Sequence, residues 1–173
     1  MTLIICALSQ LPTVIKMRRP SHIVTLLSPA EMIETPEGVA PTQHLRIRVN
    51  DIAEVTPGLV APDEAMVRSL ILFGANWTED SPMVVHCWAG ISRSTASAFI
   101  LACERNPETP ELTIAKTLRT ASRFAHPNRR FVALADDLLG RSGRMVDAVA
   151  AIGPGEPTLE NHPFDLPVRY VAG

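Results

Sequence analysis

Cysteine is scarce in this chain. Three of 173 residues, far apart, do not make a disulfide framework. Charge of one sign is lacking too. The formal net charge of −2 gives no electrostatic case for binding nucleic acid or an anionic membrane surface. No apolar run is long enough to span a bilayer. Met1 to Leu11 is apolar but has neither a basic opening nor a small-residue cleavage site, so it reads as a strand and not as a signal peptide. His22, His44, His126 and His162 lack the spacing of metal ligands, and each reads as a surface or satisfied interior residue. No metal and no cofactor is expected.

What is present suits one globular domain. Apolar residues make up 46% and charged residues 20%, enough of the first to build a core and enough of the second to keep it in solution. The expected division is a single domain over residues 1–152, followed by a Pro/Gly-rich tail over 153–173 packed on that domain or on a neighbour.

One stretch organises the rest: His86-Cys87-Trp88-Ala89-Gly90-Ile91-Ser92-Arg93-Ser94. It follows the apolar run Met83-Val84-Val85 and precedes a helical pattern running to Arg105. Five residues separate Cys87 from Arg93, enough to wrap the chain around one small tetrahedral anion. Successive N–H groups in such a turn form an anion nest, and the helix that begins near Ser92 adds its free N–H groups and the positive end of its dipole. Gly90 sits mid-loop, where positive φ or close backbone approach is needed. Arg93 supplies a planar fork for two oxygens and stays charged at any working pH. The same positive surroundings favour the thiolate form of Cys87, and a thiolate beside a phosphate cradle attacks phosphorus to give a cysteinyl phosphate. A lone cysteine at a strand end is usually packing. The combination differs: His, Gly, Arg and Ser at four fixed offsets arise by chance about once in 10⁵ cysteines.

The loop resembles the signature of the cysteine-dependent protein tyrosine phosphatases, closest to the dual-specificity branch, whose loops often read H-C-x-A-G-x-S-R-S. A weaker resemblance runs from about Leu45 to Leu139. It implies Cys87 as nucleophile, the loop from Trp88 through Ala89, Gly90, Ile91 and Ser92 to Arg93 as phosphate holder, and Ser94 bonded to the Cys87 sulfur to help it leave. It implies for His86 a structural role, orienting the loop. The substrate implied is a phosphorylated protein or small phosphomonoester, with phosphotyrosine favoured. A thiolate enzyme needs a reducing compartment, so the cytoplasm is expected.

Around the loop, the pattern predicts an α/β fold with a four- to five-stranded, mainly parallel sheet and helices on both faces. Leu3 to Leu8 and Ile23 to Leu27 read as buried strands, and His44 to Val49 as a strand with one wetter face. Ser9 is expected to cap a short helix through Met17. The stretch 31–43, with its prolines and a glycine, reads as loop with at most a helical turn. Pro62 to Trp77 reads as a helix with Ala65, Met66, Leu70, Phe73 and Trp77 on its inner stripe. Ser94 to Arg105 is apolar nearly all round and therefore buried, which makes Cys103 packing. Glu111 to Ser122 is amphipathic, with Leu112, Ala115 and Leu118 inward. A helix over Arg129 to Leu139 and another over Met145 to Ile152 complete the layer.

The general acid is the softer assignment. Delivering a proton to the leaving oxygen calls for a carboxyl, and in open α/β sheets the site lies beyond the carboxyl ends of the strands. Asp51 leaves the third strand at that end. Asp80 enters the central strand at the other end, Asp63 sits at a helix start where dipole effects alone explain it, and Glu54 is a reserve. Position relative to the cysteine in the resembling family also fits Asp51, although the W-P-D acid loop of the larger tyrosine-specific members is absent. Asn128, in His126-Pro127-Asn128, is expected to cap a helix or to bond the loop. Two other readings stay open: a phosphate-binding module without turnover, and another thiolate enzyme such as a sulfurtransferase or arsenate reductase.

Overall fold

A computed structural model of the chain describes residues 1–170. Its sheet has five strands: β1 (Thr2–Ala7), β2 (His22–Leu27), β3 (His44–Arg48), β4 (Met83–Cys87) and β5 (Phe164–Pro167), in the spatial order β3-β2-β4-β1-β5. The first four run parallel. Only β5 is antiparallel, against β1, pairing Leu3 with Leu166. The fold class is the expected α/β sheet with helices on both faces.

The strand sequences follow from these positions. β1, β2 and β4 are inner strands covered on both faces, so they are apolar almost throughout. β3 is an edge, and it mixes buried His44 and Ile47 with exposed Arg46 and Arg48. Pro167 is tolerated in β5 because that strand is the other edge.

Side chains leave the strands to opposite faces in turn, and the core divides accordingly. Leu3, Ile5, Val24, Leu26 and Val85 face a large layer of helices: α2 (Glu64–Ala75), α3 (Arg93–Arg105), α4 (Glu111–Ala121), α5 (Arg129–Leu138) and α6 (Arg144–Ile152). Ile4, Cys6, Ile23 and Val84 face α1 (Leu11–Arg18) and the segment around Ile33 and Val39. Trp77 and Cys103 are both core residues.

Three local expectations are corrected. Ser9 does not cap α1. Residues Leu8–Gln10 form a 3-10 turn first, closed by the Ala7 N–H donating to Gln10 Oε1 at 3.1 Å, and the Ser9 hydroxyl instead donates to Glu160. In α2 the inner stripe is Val67, Leu70 and Gly74, leading to Trp77, while Ala65 is exposed. In α4, Leu112 is exposed and Ile114 takes the inner place beside Ala115 and Leu118. Glu111 is buried at the start of the same helix, and its carboxylate pairs with Arg141 and Arg144, each at 3.1 Å. The stretch 31–43 holds two 3-10 turns at its ends, Pro29–Glu31 and Pro41–Gln43.

The expected tail, 153–173, is described as far as Tyr170; residues 171–173 lie outside the described part. Its course brings Asn161 to the carboxyl end of the parallel strands before β5 returns along β1.

Candidate active site

The site is built where β4 gives way to α3. Cys87 is the last residue of β4, and Arg93 is the first of α3. Between them the chain turns outward and back, and the carbonyls of the turn are all engaged. Trp88 O accepts from Leu8 N at 3.1 Å, and Ala89 O from Asn161 N at 2.9 Å. Gly90 O accepts from Asn161 Nδ2 at 3.1 Å. Ile91 O accepts from His126 N at 2.9 Å and from Thr95 Oγ1, and Ser92 O from Asn128 N at 3.2 Å. In a trans peptide the following N–H points opposite the carbonyl, and every peptide bond here is trans. The N–H groups of Ala89, Gly90, Ile91 and Ser92 therefore turn away from these clamps, and among the described residues none of them has a protein acceptor. This is the geometry of an anion nest.

Gly90 is required twice over. Its φ is +70°, and a Cβ there would come within 2.8 Å of the Cys6 carbonyl carbon and 2.9 Å of the Ala7 nitrogen. The loop thus folds down on the end of β1.

Cys87 lies at the floor of this turn, 2% exposed, with its Sγ 3.2 Å from Ser94 Oγ. The residue also belongs to the core cluster on the α3 side of the sheet. Arg93 is 6% exposed. One guanidinium nitrogen donates to Val49 O at 2.9 Å, the bond that ties α3 to the end of β3. Its Nε is buried with no partner, and among the described residues no carboxylate pairs with it. A buried unpaired cation is costly, and an anion seated in the loop would offset that cost.

Asp51 follows β3 on an exposed loop whose neck is closed by mutual bonds of 2.8 Å between Asn50 and Val60. Its Oδ1 accepts from Ser92 Oγ at 2.7 Å and from Asn128 Nδ2 at 2.9 Å. Both donors go to one oxygen, leaving Oδ2 for another task. Asn128 fills both roles considered for it. Its Oδ1 caps α5 by accepting from Arg130 N and Phe131 N, while its amide nitrogen holds Asp51 and its backbone N–H holds the loop. Asp63 caps α2 by accepting from Met66 N at 2.8 Å. Thr78 bonds Asp80, before β4 begins. Neither carboxylate joins the loop's bonding. A cleft of about 320 Å³ opens beside Asp51, between Ser92, His126 and Arg129.

Behind the loop, His86 Nε2 lies 2.7 Å from Thr25 Oγ1, which is 2.8 Å from His44 Nε2; His44 Nδ1 reaches Thr35 Oγ1 at 3.0 Å. One hydroxyl can donate to one ring and accept from the other, which suits two neutral rings; His86 Nδ1 is buried without a partner. Burial pushes both down to about 4, which agrees. Sequence reasoning did not pair His44 or Thr25 with His86. Adjacent strands put them side by side, a relation no spacing records. Asn161 was missed as well, 74 residues beyond the cysteine in a tail without a motif. Trp88 keeps its indole 54% exposed at the rim.

Burial raises Cys6 to about 12 and pushes Cys103 higher still, so both remain protonated packing groups. Among the described residues no cluster of His, Cys, Asp or Glu forms a metal site, and no helix is long and apolar enough to cross a membrane.

No protein-family model matches the sequence, and no curated protein matches it either. Solved structures do. The PTP-2 phosphatase of Cydia pomonella superposes with a TM-score of 0.57 at 18% identity, covering 78% of this chain and 84% of its own. The human tyrosine phosphatase-like serine/threonine/tyrosine-interacting protein gives 0.57 at 19%, covering 79% and 87%. PTPMT1 in complex with PI(5)P gives 0.61 at 13%, covering 87% and 93%. The chain has the dual-specificity and tyrosine-phosphatase-like fold. At such identities the likeness is one of architecture.

Proposed function

We propose that the protein hydrolyses phosphomonoesters through a cysteinyl-phosphate intermediate. The observation that carries the reading is a buried guanidinium without a counter-charge at the end of a turn whose N–H groups lack acceptors. Such a cradle is complementary to a tetrahedral dianion and stabilises the charge of a phosphoryl group in transfer. Cys87 attacks phosphorus, and the ester oxygen leaves with a proton from Asp51. Asp51 Oδ2 then takes a proton from a water that attacks the cysteinyl phosphate, and phosphate departs. Ser94 donates to the departing sulfur. Arg93 and the loop amides hold the equatorial oxygens throughout. No step calls for a metal.

The favoured substrate is a phosphorylated protein, phosphotyrosine in particular. Inositol-lipid phosphatases of this superfamily tend to carry lysines inside the loop; here Trp88, Ala89, Ile91 and Ser92 add no cation, which suits a single phosphate. The fold neighbours called phosphatases are in keeping with the reading. The test is hydrolysis of p-nitrophenyl phosphate with inhibition by vanadate. Turnover blocked by vanadate supports the reading. Phosphate binding without turnover favours a binding module, and thiosulfate or arsenate turnover without phosphatase activity favours another thiolate enzyme.

A further inference from the structure

Two carbonyls of the loop, Ala89 and Gly90, depend on one residue. Asn161 gives its backbone N–H to the first and its side-chain amide to the second, and among the described residues neither carbonyl has another donor. We propose that Asn161 is a positioning residue for the oxyanion site: it holds these two peptide planes so that the Gly90 and Ile91 N–H groups face a bound phosphate. The inference rests on the phosphatase reading and deepens it.

The physical need for such a clamp arises from Gly90. Glycine gives the turn its positive φ, and it also lets the flanking peptides rotate at little cost. A flip of either plane would aim a carbonyl oxygen at the ligand and replace attraction with repulsion. Asn161 removes that freedom, because it is itself immobilised. It is 3% exposed. Ser122 Oγ lies 3.1 Å from its Oδ1 and 2.9 Å from its Nδ2. Its carbonyl accepts from Gln10 Nε2 at 2.9 Å, and the same glutamine closes the end of β1. The tail thus straps the outside of the loop to β1 and α4 and makes the phosphate cradle depend on residues far beyond it in sequence.

The test uses the full chain and titrates inorganic phosphate by calorimetry, with far-UV circular dichroism and thermal midpoint as controls. Asn161→Ala removes the amide bond to Gly90 but keeps the backbone bond to Ala89. Asn161→Asp keeps the shape and sets a carboxylate oxygen against the Gly90 carbonyl. The expected result is phosphate affinity lower by about tenfold in the first and by more in the second, with vanadate inhibition weakened in parallel. Arg18→Ala removes the 2.8 Å pair to Asp165, a different hold on the same tail. It should leave phosphate affinity within about twofold of wild type, whatever it does to the midpoint. A folded Asn161 variant that binds phosphate like wild type overturns the inference and leaves the phosphatase reading standing. An equal loss in Arg18→Ala also overturns it, because general loosening of the tail would then be the cause. Wild-type protein that binds no phosphate overturns both. Should both Asn161 variants unfold, Ser122→Ala decides. It leaves Asn161 in place but frees its amide, so weaker phosphate binding supports the clamp and unchanged binding rejects it.

Discussion

From Trp88 to Ser92 every carbonyl is engaged by a donor from another part of the chain, and the cysteine beneath is 2% exposed. The Asp51 loop is held by less. Residues 53–60 are exposed, Val55 to 73%, and two side-chain bonds bring Asp51 itself to the site. The contrast suits the two kinds of work proposed for them. A cradle for a transferring phosphoryl group must be rigid before the ligand arrives, since donors that reorganise during reaction give up part of their stabilisation. An acid that serves first one oxygen and then a water needs only to be near, and some freedom costs it little.

This contrast can be broken at several points. Cys87→Ser should abolish turnover, by on the order of 10⁴-fold or more, while phosphate still binds. A variant that keeps turning over would remove Cys87 from the mechanism. Arg93→Ala should lower kcat/KM by about 10²- to 10³-fold and weaken phosphate binding together with it, because the same buried charge serves both. Asp51→Asn should lower kcat on the order of 10²-fold for esters with poor leaving groups and much less for p-nitrophenyl phosphate, whose leaving oxygen needs no proton. Equal losses on a series of aryl esters would move the acid elsewhere. Ser92→Ala, which frees one of the two holds on Asp51, should cost about threefold on the same poor leaving groups and nothing in phosphate affinity. A loss in phosphate binding as large as that in Arg93→Ala would mean that the two loops are not held independently.

The support behind the loop predicts a pH dependence. His86 has its folded pKa lowered by burial from 6.5 to about 4, so the unfolded chain binds more protons between those values. Its contribution to stability is complete above pH 6.5 and is lost as pH falls toward 4, at no more than about 1.4 kcal/mol per pH unit. Denaturant titrations across that range should show the decline, and His86→Asn should make it shallower.

Much of the site was legible because its parts are close in sequence. Cys87, Gly90, Arg93 and Ser94 lie within one strand–turn–helix unit, where spacing fixes geometry. Asp51 was reached by a topological argument, since parallel strands deliver their carboxyl ends to one edge of the sheet. On α2 and α4 only Ala65 and Leu112 were misplaced, while the other residues expected inward do pack on the core, because apolar periodicity alone does not place every residue at the border of a helix face.

By itself, the sequence determined the α/β class and singled out the strand–turn–helix unit that carries the proposed nucleophile, since local spacing and strand hydrophobicity are properties of neighbouring residues. Tertiary structure alone decided which carbonyls the turn presents outward, that His86 is buried beside Thr25, and that Asn161 closes over Gly90. Those depend on hydrogen bonds between segments 35 to 80 residues apart, such as His126 with Ile91, His86 with Thr25 and Leu8 with Trp88, and bonds of that reach exist only once the chain has folded.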